Sequence, residues 1–456
     1  MPSFIFLAQV NCKFADGSLI FDFTMVRPST YSYIIYSLFG VLLQTYSYSQ
    51  SNQPIEVKII KSGTTFQLTR NGAPYFIKGG GGYDFLDVLK QSGGNSVRIW
   101  GDEQAKEILD AAQKLGMTVM LGLNVELERH GFDYDNGQLV EQQFQKFKKV
   151  VLALKDHPAL LLWGIGNEVN LNYRNMNVWN AVEAIAKMIH EEDKMHPTAT
   201  VIAGINPTDV HQIKELCPDI DVLGINAYGN VLSVAERLRE CDWDKPYIVT
   251  EWGPTGQWEC AKTNWDAPLE ESSTEKAAIC KMRYENAILK DKDMCLGAYV
   301  FKWGFKQEVT STWFSTILES GDATELVGTM QYLWTGSYPS NTAPQLTSFL
   351  LNEQVASKSI KLPKGMDFKV TASALDADRD ALQFEWEIMY ESSDLKEGGD
   401  AEEKPFTLDE KYKTGAVGEL VVKAPERKGQ YRLFVYVYDG HKHVATGNIP
   451  FFVKKH

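Results

Sequence analysis

Eight apolar, β-rich runs recur through this chain, at residues 76–80, 96–100, 118–123, 160–166, 200–205, 222–228, 247–252 and 296–303. Each is nearly continuous in apolar residues, as in strands buried on both faces of a parallel sheet. Between them, residues 103–115, 140–154 and 178–191 space their apolar side chains three and four apart, as helices resting on such a sheet do. Strand–helix alternation repeated eight times favours an α/β fold closed into a (β/α)8 TIM barrel over an open sheet.

The remainder of the 456 residues arranges itself around that repeat. Residues 55–77 read as a short β prelude, with Asn71-Gly72 as a turn. The stretch from Ser337 to Pro344 is rich in Ser, Pro and Thr and reads as a linker. Beyond it the helical period disappears, and short strands are expected at 368–372, 384–388, 419–422, 431–438 and 449–453, which suggests an immunoglobulin-like β-sandwich. The expected division is 1–50 as upstream sequence and signal peptide, 51–336 as the barrel, 337–345 as the linker and 346–456 as the sandwich. Within the first part, Arg27 precedes an apolar run at 34–43, and Ser47-Tyr48-Ser49-Gln50 follows at cleavage spacing. That is the layout of a secretory signal, with Met25 as the expected start. The run is short for a bilayer span. The expectation is a secreted, periplasmic or cell-surface protein with no stable membrane span after signal removal; an N-terminal anchor is the alternative.

A formal charge of −13 argues against nucleic acid as a partner, which needs a basic surface. The six cysteines include no C-x-x-C pair, so zinc and redox motifs find no support, whereas export would allow one or two disulfides among the last five. Asp376, Asp378 and Asp380 alternate, but the stretch lacks the glycine and distal glutamate of a calcium loop, and the eight histidines are scattered. Neither a metal nor a cofactor is expected.

Barrel active sites lie at the C-terminal ends of the strands, so polar residues there carry the argument. The fourth run ends in Trp163-Gly164-Ile165-Gly166-Asn167-Glu168, and the seventh in Thr250-Glu251-Trp252-Gly253. A lone strand-end glutamate would read as a salt-bridge partner. Two of them, entering one mouth from opposite sides, match the pair that cleaves a glycosidic bond: one protonates the leaving oxygen, and the other attacks or activates water. Trp100, Asn124, Glu126, Trp252 and Trp258 also fall on strand-end loops and are cleft candidates. Gly79 to Gly82 lack the dinucleotide-binding pattern and read as a tight loop giving a substrate close backbone approach. No strand-end carboxylate of the barrel lies beyond Gly336, so the C-terminal module is expected to be dispensable for bond cleavage, with acidic residues 397–403 as a solvated loop.

The Trp-Gly-x-Gly-Asn-Glu and Thr-Glu-Trp-Gly motifs resemble those of clan A glycoside hydrolases, and most of all the barrel of glycoside hydrolase family 2. The lead-in Phe66-Gln67-Leu68, with Asn71-Gly72-Ala73-Pro74-Tyr75-Phe76-Ile77-Lys78-Gly79, is similar as well, and the resemblance spans roughly residues 60–335. It implies a retaining glycosidase acting on β-linked oligo- or polysaccharides, with Glu168 as acid/base and Glu251 as nucleophile, about 5 Å apart. It further implies that Asn167 holds the sugar 2-hydroxyl, Arg98 and Tyr228 support the nucleophile, and Trp303 floors the subsite of the cleaved sugar. The β-sandwich domains that precede the barrel in typical members are missing, which leaves the sugar open. Transglycosylation on a β-1,3-glucan type of substrate, or a catalytically silent glycan-binding protein, are the alternatives; oligomeric state is not legible.

Overall fold

The computed structural model describes residues 53–408 and 411–455, together with the backbone of an N-terminal hairpin whose strands, Leu7–Ala15 and Ser18–Val26, pair antiparallel. The candidate signal segment lies outside the described residues. No helix among the described residues is long and apolar enough to cross a membrane.

The barrel strands are β1 (Ile77–Gly81), β2 (Ser96–Ile99), β3 (Thr118–Leu123), β4 (Leu160–Ile165), β5 (Thr198–Ala203), β6 (Val222–Asn226), β7 (Tyr247–Trp252) and β8 (Cys295–Val300). They follow one another around a closed barrel, and every neighbouring pair is parallel, including β8 with β1. Every residue of β2, β3, β4, β6, β7 and β8 is buried, because helices cover the outside and side chains fill the inside. The helices are α1 (Leu86–Gln91), α2 (Ala105–Lys114), α3 (Gly137–Leu154), α4 (Asn177–Glu192), α5 (Pro207–Leu216), α6 (Val234–Glu240), α7 (Ser273–Arg283) and α8 (Glu325–Thr335). Local chemistry sets several of their ends. Asn136 and Asn206 accept the first free amides of α3 and α5, Ser272 and Glu275 form a reciprocal capping box on α7, and Gly336, at φ 84°, closes α8.

The prelude forms a three-stranded sheet, Val57–Ser62, Thr65–Arg70 and Ala73–Pro74. It plugs the N-terminal end of the barrel: Val57 N–H donates to Met195 O just before β5, and Phe66 N–H donates to Asp293 O just before β8. Val57 and Leu68 join Ile77, Met120, Leu162, Ile248 and Tyr299 in the interior cluster. The opposite end is thereby left as the open one.

The C-terminal region has two sheets over one core. One contains Gln345–Leu351, Asp367–Leu375 and Glu419–Lys423; the other contains Lys361–Pro363, Val444–Lys454, Gly429–Tyr438, Gln383–Tyr390 and Tyr412–Gly415. Leu346 and Val370 of the first pack with Trp386, Leu433 and Phe451 of the second. Three strands go beyond the expected five: Gln345–Leu351 begins inside the supposed linker, while Lys361–Pro363 and Tyr412–Gly415 are edge strands of three and four residues, too short to show an alternation. Cys217, Cys241, Cys260, Cys280 and Cys295 are all free thiols, so the disulfides that export would allow are not formed.

This β domain is bolted to the barrel through buried polar groups. The Arg432 guanidinium donates to Glu391 (2.8 Å), Asn448 Oδ1 (2.7 Å) and the Pro268 carbonyl (2.9 Å), and Asn448 Nδ2 donates to Glu270 (2.6 Å). The side chains of Arg432 and Glu391 are 2% and 7% exposed. Substituting Arg432 with methionine strands a buried carboxylate and is expected to cost about 3–5 kcal/mol in denaturant unfolding. Lys413→Ala, which removes an exposed partner of Glu385, should stay within about 1 kcal/mol.

Candidate active site

The open end of the barrel gathers polar side chains from β2, β4, β6 and β7. Glu251, on β7, is 6% exposed. Three donors converge on its two oxygens: Arg98 Nη1 (2.8 Å) and Trp100 Nε1 (2.8 Å) reach Oε1, and the Tyr228 hydroxyl (2.8 Å) reaches Oε2. Burial next to Glu251 pushes the Tyr228 hydroxyl well above its ordinary range, so it remains a donor. Trp100 lies against the Arg98 guanidinium at 5.3 Å and edge-on to Phe301.

Arg98 is the hub. Its side chain is 2% exposed and reaches across the barrel interior from β2 to β7. Beyond Glu251 it donates to the Thr250 carbonyl (2.9 Å), Asn226 Oδ1 (3.4 Å) and Asn167 Oδ1 (2.6 Å). Asn226, at the end of β6, links the two carboxylates: its Nδ2 donates to Glu168 Oε1 (2.9 Å) and Asn167 Oδ1 (3.2 Å), while Thr250 Oγ1 donates to its Oδ1 (2.8 Å).

Glu168 follows β4 through a tight turn. Gly166 sits at φ 75°, where a Cβ would strike Val169 at 2.6 Å, and Glu168 itself is at φ 50°. A left-handed conformation in a non-glycine residue costs of the order of 1 kcal/mol and is held here by the Glu168 N–H bond to Val201 O. Burial, reinforced by the charge of Glu251, pushes the Glu168 carboxyl up from 4.5 to about 7. Between those values the folded chain keeps a proton that the unfolded chain has lost. Stability from this group is therefore present at low pH and is lost as pH rises through about 7. Glu168→Gln should raise the melting temperature more at pH 8 than at pH 5, measured by thermal unfolding at both.

A cavity of about 500 Å³ opens over this network. Trp100, Asn124, Glu126, Asn167 and Glu251 line it, together with Phe301. Trp258, 56% exposed, stands edge-on to Tyr228 at 5.4 Å. Two expected cleft residues are elsewhere. Trp252 is fully buried against Tyr284 of the helical layer, because successive residues on a strand face opposite sides and Glu251 takes the inward position. Trp303 is fully buried between Gly80 and Trp334, and Phe301 occupies the cavity in its place. The glycines of β1 also serve packing rather than substrate approach: a Cβ on Gly79 would lie 2.2 Å from the Tyr299 ring and one on Gly80 2.8 Å from Trp303. Asn226 was not singled out from the sequence, although its place at a strand end, two residues before Tyr228, was a usable signal. Away from the barrel, Asp376, Asp380 and Asp439 gather their oxygens within 4.8 Å, while Asp378 instead accepts from Thr342.

Residues 84–264 match the family described as glycosyl hydrolases family 2, TIM barrel domain. The barrel thus resembles the TIM barrel domain of family 2 glycosyl hydrolases. A β-galactosidase of Bacteroides ovatus is 22% identical, over 47% of this chain and 31% of that protein. Among solved structures, a calcium-binding mutant of Bacteroides uniformis β-glucuronidase 2 gives a TM-score of 0.48 at 15% identity, covering 88% of this chain and 48% of that one. The β-glucuronidase of Bifidobacterium dentium with coumarin-3-O-glucuronide gives 0.48 at 17% identity, covering 62% and 50%. The chain thus spans about a third of the curated relative and about half of these solved chains.

Proposed function

We propose that the protein is a retaining glycosidase of β-linked glycans, secreted or held at the cell surface, with an immunoglobulin-like C-terminal domain. The carrying observation is the contrast between two carboxyls in one barrel mouth: Glu168 is pushed up to about 7, while Glu251 lies in a cradle of three donors. Glu251 attacks the anomeric carbon as the glycosidic C–O bond breaks, and the leaving oxygen takes the proton of Glu168. Water then attacks the same carbon, the ester to Glu251 breaks, and Glu168 takes up the water proton. The charge of Glu251 is one reason that Glu168 holds its proton. Esterification removes that charge, so the Glu168 pKa falls at the stage where a base is required.

Asn167, facing the cavity and held by Arg98 and Asn226, is placed to bond a sugar hydroxyl beside Glu251. Trp100 and Trp258 offer aromatic faces at the mouth. Incubation with a panel of aryl β-glycosides and defined β-glycan oligosaccharides, with proton NMR of the first product formed, tests the reading. The expected product has the β anomeric configuration; initial release of the α anomer overturns the retaining mechanism, and no turnover across the panel overturns the activity.

A further inference from the structure

Part of the cavity wall is not barrel. Residues 398–402, in the acidic loop of the C-terminal domain, line it alongside Glu251 and Trp100. The loop is fastened to the barrel mouth by specific bonds. Asp400 pairs with Arg129 (2.9 Å) and His130 (3.0 Å), Lys306 Nζ donates to the Gly399 carbonyl (2.7 Å), and Val309 N–H donates to Glu402 Oε2 (2.6 Å). From the same loop, Glu397 Oε2 accepts from Asn172 Nδ2 (2.7 Å). Gly398, at φ 64°, permits the close approach: a Cβ there would lie 2.6 Å from Arg129 Nη2.

The loop adds two carboxylates, Asp400 and Glu402, to the cavity wall. Three fixed cations line it, Arg129, Lys302 and Lys306, against four carboxylates, Glu126, Glu251, Asp400 and Glu402. Without the loop, two of these four carboxylates would be gone and Arg129 would lose its carboxylate partner, so the cavity would repel anions less. Of the three cations, Arg129 takes its carboxylate partner, Asp400, from the loop, whereas Lys302 and Lys306 pair with the barrel residues Asp84 (2.8 Å) and Glu308 (3.5 Å), Lys306 also donating to the loop's Gly399 carbonyl. A sugar carboxylate entering here would have to displace one of these partners and approach Asp400 and Glu402, which are of its own sign.

We infer that loop 397–403 is a specificity-determining wall of the cleft, which sets Asp400 and Glu402 beside the sugar site, neutralises Arg129, and so selects uncharged glycans over uronic acid-containing ones. This deepens the glycosidase reading and rests on it. The test compares kcat/KM for pairs of aryl β-glycosides that differ only at C6, glucoside with glucuronide and galactoside with galacturonide. The wild type should favour the neutral member by at least about tenfold, since like charges brought together cost several kcal/mol. Asp400→Asn keeps the side chain's shape and an acceptor for Arg129 but removes the charge. It should narrow the preference by at least about fivefold, chiefly through a lower KM for the uronide. Glu402→Gln should move the ratio in the same direction. A merely structural loop would change both members of a pair alike. A wild-type preference for the uronide, or a ratio unmoved in both variants, overturns the inference. If the wild type cleaves no aryl glycoside, the glycosidase reading has failed, and the loop is judged by calorimetric titration with glucuronate and glucose. The affinity ratio of glucuronate to glucose should then rise in Asp400→Asn, and an equal ratio, or no binding by either form, overturns the proposal.

Discussion

Glu251→Gln is expected to lower kcat/KM on the order of 10⁴-fold or more, the scale on which loss of a nucleophile or its activating partner is felt in other covalent catalysts. Glutamine is the informative replacement. Alanine would leave Arg98 buried without its partner, and stranding a buried charge costs about 3–5 kcal/mol in its own right. The amide of glutamine still offers one oxygen to Arg98 and Trp100, and the Tyr228 hydroxyl can turn from donor to acceptor opposite the new NH2. The fold should survive while the anionic nucleophile does not. Steady-state kinetics on the preferred aryl glycoside, with a circular dichroism melt of the same sample, separates the two. A folded variant with activity within tenfold of the wild type would remove Glu251 from the role of nucleophile.

How much of this was legible beforehand depended on whether a property is written locally. The eight barrel strands were, because a strand buried on both faces reads as an unbroken apolar run, as in Leu160–Ile165. Glu168 and Glu251 were, because the barrel sends strand ends to one mouth. Trp252 was misread for want of the two-residue strand period: once Glu251 faces inward, Trp252 must face the helices, whereas Trp303 lies beyond the end of β8, where no such period applies. Asn226 had only its strand-end place two residues before Tyr228 to mark it, because its partners, Glu168 and Arg98, are brought beside it from other strands. The acidic loop escaped for the same reason on a longer scale. Nothing in residues 397–403 shows that Arg129 and Lys306 wait for them across more than ninety and up to 271 residues of chain. The acidic loop is solvent-exposed, as expected, but it also lines the cavity, so the β domain supplies part of that wall. Truncation near residue 340 would also expose the cluster of Leu318 with Met389, Phe434, Tyr436 and Val444.

Glu168→Gln should remove the alkaline limb of the activity profile. In the wild type the first step needs protonated Glu168, and its carboxyl is held up to about 7 by burial and by the charge of Glu251. Activity on substrates with poor leaving groups should therefore fall as pH rises through about 7, where the proton is lost. Glutamine cannot donate in that way, so turnover of such substrates should drop by about 10²–10⁴-fold, the usual contribution of a general acid, and what remains should be flat through neutral pH. A dinitrophenyl glycoside behaves differently, since its leaving oxygen departs without a proton. Its first step should survive in the variant, with dinitrophenol released in a burst while the ester on Glu251 waits for a water that Glu168 no longer activates. Added azide, which needs no general base, should restore turnover and yield a β-glycosyl azide. An alkaline limb that persists near pH 7 in the variant would assign the acid to another residue, and the absence of azide rescue in a folded variant would remove Glu168 from the second step.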